Sequence, residues 1–287
     1  MNAIGKIREI TDFLNKHGIE SAGKEAETLI KHCAGIDTVD IYRDNPIIPD
    51  DCSDFAERLA IRRASREPLA YILGNVEFMN LRISVGQGVL IPRPETEFMV
   101  EHAIETIEKI KRAQADLRFL DLCTGSGCLA LSIAGKYPAS AVYGVDISGA
   151  AISFATQNAV MNRINNASFF VGDLFKAVKT GSPGARFDMI ISNPPYIKSG
   201  DLDALQTEIR EWEPMNAVDG GKDGLDFYRK LITDARNHLK TDGLLILEIG
   251  SDCDKITYML QDKGYSQIKV LSDYSGNERV IQATWKN

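Results

Sequence analysis

Apolar residues at the start of the chain recur three and four positions apart. Ile4, Ile7, Ile10 and Leu14 share one helical face, and Ala22, Ala26, Leu29, Ile30 and Cys33 repeat the pattern after Ser21, which can cap a second helix. Residues 44–54 carry Pro46 and Pro49 and read as a connector, with Ser53 placed to cap a further helix bearing Phe55, Ala56, Leu59 and Ala60. Each apolar stripe needs a partner to bury it, so residues 1–70 predict a small helical bundle.

The pattern changes after residue 70. Residues 71–90 interrupt short apolar groups with Gly74, Asn75, Gly86 and Gly88, which favours a β-hairpin linker over a continuous helix. IPRPETE (91–97) puts two prolines ahead of Phe98, Val100, Ala103, Ile104 and Ile107, predicting a helix that starts near Glu95. Strand patterns then follow at 118–122, 141–145, 169–171, 187–192, 244–249, 267–271 and 279–284, with helical patterns at 129–134, 150–160, 224–239 and 254–261. This alternation predicts an α/β domain over residues 91–287, built on a mostly parallel, doubly wound sheet whose last strands can run antiparallel.

With 287 residues, 44% of them hydrophobic and 25% charged, the chain can bury a sizeable core. Lysine and arginine total 33 against 40 aspartates and glutamates, and the net charge of −7 supplies no global attraction for a nucleic-acid backbone. No apolar run approaches the roughly 20 residues of a membrane span, and MNAIGKIREI is not followed by the apolar core of a secretory signal. The five cysteines are odd in number and lack paired zinc-ligand spacing, which suits a reducing compartment. A soluble, cytoplasmic protein without membrane partner or metal is expected.

Four polar residues end or closely follow successive strand patterns: Asp121, Asp146, Asp173 and Asn193. In open parallel sheets ligands sit beyond the carboxyl ends of the strands, so these positions carry the most functional weight. DLCTGSGCLA (121–130) joins the first strand to a helix through a turn in which Thr124, Gly125, Ser126 and Gly127 leave room for a ligand. Its G-x-G-x-x-A spacing also fits a dinucleotide, and Asp146 suits the ribose hydroxyls of NAD or S-adenosylmethionine alike. Asp121 favours the second, because a carboxylate before the turn is poorly matched to pyrophosphate and well matched to a cationic ligand. Asp173 is placed to accept from an adenine amino group, with Leu174 and Phe175 as apolar surface. Cys123 and Cys128 read as small packing residues.

ISNPPYI (191–197) is the most specific signal. Pro194 and Pro195 fix the backbone and remove two amide donors, leaving the Asn193 side chain and backbone carbonyls to accept hydrogens. Asn193 Oδ1 and the Pro194 carbonyl can hold the two hydrogens of a planar NH2 group, with Tyr196 adding an aromatic face, an arrangement suited to methyl transfer onto that nitrogen. No cysteine or serine stands in a nucleophile motif, and the four histidines show no metal spacing.

PLAYILGNVEF, GVLIPRPETE, DLCTGSGCLALSIA, VDIS, GDLF, SNPPYI and DGGKDGLDFYR together span nearly the whole chain. They resemble the HemK or PrmC family of protein-(glutamine-N5) methyltransferases. The resemblance implies a helical N-terminal domain that binds the release factor (1–70), a hairpin linker (71–90) and a seven-stranded Rossmann-like class I methyltransferase domain (91–287). It implies methyl transfer from S-adenosylmethionine to the Gly-Gly-Gln glutamine of class I peptide chain release factors by a working monomer, yielding S-adenosylhomocysteine, with no nucleic-acid substrate. By motif, Cys123 through Gly127, Asp146, Leu174 and Asn193 contact the cofactor, and Asn193, Pro194, Pro195 and Tyr196 receive the glutamine amide. Arg93 and Glu213 join the substrate side, with Pro94, Glu95 and Thr96 shaping the cofactor entrance. Two positions depart from common family forms: Cys123 replaces a glycine, which is tolerable with negative φ, and Leu174 stands where an aromatic can flank adenine. The competing activity is adenine-N6 methylation of DNA or RNA, since SNPPY chemistry also orients an exocyclic amine.

Overall fold

A computed structural model describes residues 1–110, 116–178 and 186–286. The chain divides into two compact units, Met1–Gly74 with Thr207–Trp212, and Asn75–Gln206 with Glu213–Asn287.

The first unit holds α1 (Ala3–Lys16), α2 (Ala22–Ala34), α3 (Thr38–Asp44), α4 (Asp50–Ala64) and the short α5 (Leu69–Leu73). Their stripes bury Ile10, Leu14, Leu29, Ile30, Ile41, Ala56 and Leu59 in one core. Asn2 caps α1, and Asp37 and Asp40 form a reciprocal capping box on α3. The two expected serine caps are not made. Ser21 donates its hydroxyl to Glu25 instead, and α4 starts three residues before Ser53, where Pro49 precedes the helix and Asp50 and Asp51 complement its dipole. Thr207–Trp212, a one-turn helix distant in sequence, belongs to this unit because Glu208 accepts from Arg63 (3.0 Å) and Arg66 (3.1 Å), Arg63 also being paired to Glu25.

The second unit begins with a hairpin, β1 (Asn75–Phe78) and β2 (Leu81–Ser84), shorter than the expected linker because Leu69–Leu73 is helical and ends at Gly74. Met79 and Asn80 both have positive φ, as a two-residue hairpin turn demands. α6 (Pro94–Ile110) follows, then β3 (Arg118–Leu122), α7 (Cys128–Lys136), β4 (Ala141–Asp146), α8 (Gly149–Met161), β5 (Ala167–Val171) and β6 (Phe187–Ser192). After the short Thr207–Trp212 helix, which is α9, come α10 (Asp226–Ala235), β7 (Leu239–Glu248), α11 (Cys253–Asp262), β8 (Tyr265–Ser272) and β9 (Glu278–Trp285).

The seven-stranded sheet has the order β5-β4-β3-β6-β7-β9-β8, parallel except for β9, which pairs antiparallel with both β7 and β8. β3 and β6 are buried nearly throughout, as central parallel strands covered on both faces must be. From β3 the chain winds outward through β4 and β5, then returns to the other side of β3 as β6. This reversal opens a crevice at the carboxyl ends of β3 and β6, and Leu122 pairs with both Val145 and Ser192 at that level. Asn158 of α8, fully buried, holds the hairpin to the crevice: it bonds both backbone groups of Ser84 and donates to the Ser126 carbonyl. Among the described residues no helix is long and apolar enough to cross a membrane.

Candidate active site

The turn after β3 is wound by three positive φ angles, at Cys123 (60°), Gly125 (54°) and Gly127 (81°). The condition for an easily tolerated cysteine, a negative φ at Cys123, is therefore not met. Its backbone sits in the left-handed region, which explains why glycine suits the position and leaves a strained cysteine here. Gly127 is required on a second count, since an added Cβ would lie 2.9 Å from Ala155 Cβ and 3.1 Å from Phe169 Cζ. It is thus a packing glycine at the start of α7 and does not line the cavity.

Two carboxylates organise the turn. Asp146, ending β4, accepts from Gly125 N and Ser148 N, both at 2.9 Å, so it aligns the backbone around the crevice; burial raises its carboxyl above the ordinary range despite these bonds. Asp121 is fully buried beneath the turn, not in the cavity wall. Thr124 Oγ1 (2.6 Å) and Ala130 N (3.2 Å) donate to its Oδ2, whereas Oδ1 has no partner among the described residues. Burial pushes this carboxyl up to about 7.

The crevice is a cavity of about 340 Å³, a size suited to a small cofactor. Cys123, Thr124, Gly125, Ser126, Asp146, Asp173, Leu174, Asn193, Pro195 and Arg93 line it; Pro194, Tyr196 and Glu213 do not. Asp173 does not cap the helical turn after it, and its carboxylate accepts from Lys176 Nζ at 2.6 Å. Leu174, at φ 48°, is another non-glycine residue in the left-handed region. Glu213 is buried, with one carboxylate oxygen accepting from Ile91 N (3.0 Å) and the other from Arg93. It braces the wall containing Pro214, Asn216 and Ala217 against the wall containing Pro92 and Arg93.

Asn193 follows β6 directly. Its Nδ2 donates to Thr96 Oγ1 at 3.2 Å, and that hydroxyl donates to Glu248 Oε2 at 2.7 Å. Tyr196 does not line the cavity, and burial pushes its phenol up to about 12, with the negative charge of Glu248 adding to the rise. The strand-like run after it pairs with the 218–224 loop, where a Cβ on Gly220 would lie 2.7 Å from Tyr196 Cα. Only glycine admits that approach.

The site thus gathers polar groups from four strand ends around one cavity, and its chain has close counterparts. Residues 6–74 match the PrmC N-terminal domain, and residues 98–211 the methyltransferase small domain. A release factor glutamine methyltransferase of Thermodesulfovibrio yellowstonii is 42% identical over 282 residues, covering 98% of this chain and 97% of that one. Its counterpart in Geobacter sulfurreducens is 39% identical over 285 residues, covering 97% and 96%. The chain belongs to the release factor glutamine methyltransferase family. A solved methyltransferase from Pyrococcus furiosus, 20% identical with a TM-score of 0.52, covers 72% of this chain and 90% of its own and shares the fold.

Within this class I, S-adenosylmethionine-binding fold of the release factor glutamine methyltransferases, several lining residues escape a motif search. Exposed Ile147 follows Asp146, and Phe227 and Lys230 of α10 line the cavity together with Leu174, Lys230 Nζ standing 5.6 Å from the Phe227 ring centroid. Phe227 supplies an aromatic wall that Leu174 lacks. An exposed isoleucine beside a strand-end acid was the available signal for Ile147; only the fold brings α10 to the cavity. S-Adenosylmethionine fits this lining. Apolar Ile147, Leu174 and Phe227 match a flat ring, Asp146 and Asp173 are acceptors, and Ser126 adds a hydroxyl to the lining.

Proposed function

We propose that the chain transfers a methyl group from S-adenosylmethionine to the side-chain amide nitrogen of the glutamine in the Gly-Gly-Gln motif of class I peptide chain release factors, yielding N5-methylglutamine and S-adenosylhomocysteine. The observation that carries this assignment is Asn193, an amide at the carboxyl end of β6, lining the cavity with its NH2 end tied to Thr96. When bound, S-adenosylmethionine supplies a methyl group activated on a sulfonium, whose carbon–sulfur bond breaks as the carbon–nitrogen bond forms and one proton is released.

This chain's residues position the acceptor. Asn193 Oδ1 and the Pro194 carbonyl accept the two hydrogens of the glutamine NH2 group, turn its nitrogen toward the cavity and stabilise the positive charge that develops there. Pro195 stiffens the loop and closes the cavity wall, and Tyr196 supports the loop from behind. Asp146 receives the ribose hydroxyls, Asp173 the adenine amino group, and Cys123 through Ser126 the methionine portion, over the charge of Asp121. No metal takes part. The helical unit 1–74 binds the release factor, and the enzyme works as a cytoplasmic monomer alongside translation termination.

Purified protein incubated with labelled S-adenosylmethionine and a class I release factor is expected to label the Gly-Gly-Gln glutamine, mapped by mass spectrometry. Asn193→Ala is expected to lower kcat on the order of a hundredfold or more while the fold is kept. Label on adenine of DNA or RNA, with none on glutamine, would replace the assignment by nucleic-acid methylation.

A further inference from the structure

An amide side chain can be turned end for end with no change of shape, yet only its carbonyl end accepts a hydrogen. We infer that Thr96 and Glu248 are positioning residues that fix which end of Asn193 faces the substrate. The Thr96 hydroxyl has one hydrogen and gives it to Glu248 Oε2 at 2.7 Å. Its oxygen is then left only to accept, and it accepts from Asn193 Nδ2 at 3.2 Å. Oδ1 is thereby directed to the ligand side. Thr96 and Glu248 are both buried, and the order runs from the last residue of β7 through the first turn of α6 to the end of β6. This inference rests on the role given to Asn193 above.

The direction of the relay depends on Glu248 being ionised. A protonated carboxyl can itself donate to Thr96, which frees the hydroxyl hydrogen for Asn193 Oδ1 and lets the amide turn over. Burial pushes the Glu248 carboxyl up to about 7, opposed by the Thr96 hydrogen bond and the positive Arg279 of β9, reinforced by negative Glu95 of α6, and opposed again by Tyr196. Two further groups face it. Tyr228 of α10 donates to the Glu248 backbone carbonyl at 2.8 Å, and Cys128 of α7 has its thiol pushed up to about 12 by burial. Neither titrates near neutrality.

Side-chain NMR on the full chain without cofactor or release factor reads the relay directly. The Glu248 carboxyl carbon is expected to titrate near pH 7, with the Asn193 side-chain amide resonances moving at the same midpoint. In Thr96→Val the Glu248 midpoint rises, because a donor to the carboxylate is gone, and the Asn193 resonances no longer follow it. In steady-state methylation of a class I release factor, Thr96→Val and Glu248→Gln lower kcat roughly ten- to hundredfold, leave the KM for S-adenosylmethionine within about twofold, and Thr96→Ser restores most of kcat. The acid limb of the wild-type kcat profile disappears in Glu248→Gln. If Thr96→Val does not fold, Thr96→Ser against Glu248→Gln carries the comparison. Asn193 resonances indifferent to the Glu248 titration, or wild-type kcat in Glu248→Gln, overturn the inference. Asn193→Ala assayed alongside separates the two claims: full activity there removes the role of Asn193 itself, whereas its inactivity beside a fully active Thr96→Val removes only the positioning.

Discussion

Asp121→Asn isolates the electrostatics under the glycine-rich turn. The wild-type carboxyl is fully buried, with two donors on Oδ2 and, among the described residues, none on Oδ1. Burial raises it from the ordinary 3.8 to about 7, against the bonds from Thr124 and Ala130 and with the help of negative Asp146. Because the folded value lies above the unfolded one, the native state binds the proton more tightly. The destabilisation is absent below 3.8, grows as pH rises through this window and is complete above about 7. At 1.36 kcal/mol per pH unit, it reaches about 4 kcal/mol at pH 8 and less than about 2 kcal/mol at pH 5. Asparagine carries no charge to desolvate, and any cost of its buried NH2 group is the same at both pH values. The stability of Asp121→Asn relative to wild type should therefore increase by roughly 2–3 kcal/mol from pH 5 to pH 8. Equilibrium urea unfolding of the cofactor-free proteins at the two pH values measures this difference, in which titrations common to both cancel. Parallel stability profiles would refute the raised carboxyl. Calorimetry at pH 8 should also show S-adenosylmethionine binding weakened on the order of tenfold, since its positive charge loses an opposing carboxylate.

Asp146→Ala removes the acceptor that holds Gly125 N and Ser148 N and faces the cavity, so S-adenosylmethionine affinity should fall by about ten- to a hundredfold. An unchanged dissociation constant by calorimetry would reject that contact. Gly127→Ala places a Cβ 2.9 Å from Ala155 at a φ of 81°, and should cost about 2–4 kcal/mol of stability in urea unfolding. Wild-type stability would mean that the turn relaxes freely.

The local periodicities determined much of this protein. Spacings near 3.6 placed the helices of the first unit, buried apolar runs placed the central strands, and the alternation between them required a parallel sheet with its ligands at the strand ends. Asp146, Asp173 and Asn193 were legible because each ends its strand or follows it within two residues, and the glycine spacing marked the turn. Side-chain ambitions were less secure. Asp121 carries the right charge but lies below the cavity, Glu213 is consumed by Ile91 and Arg93, and Cys123 adopts a backbone conformation that its residue type disfavours.

What only the tertiary structure decided depends on partners far apart in the chain. Helix α9 joins the first unit through Glu208 and two arginines, and Phe227 meets the cavity from α10. Asn193 is tied to Thr96, and Thr96 to Glu248, across gaps that no window of sequence spans. Periodicity records which face of an element is buried, because burial is repeated along it. A single hydrogen bond between remote elements leaves no repeat, and its direction is set only when both ends are folded against each other.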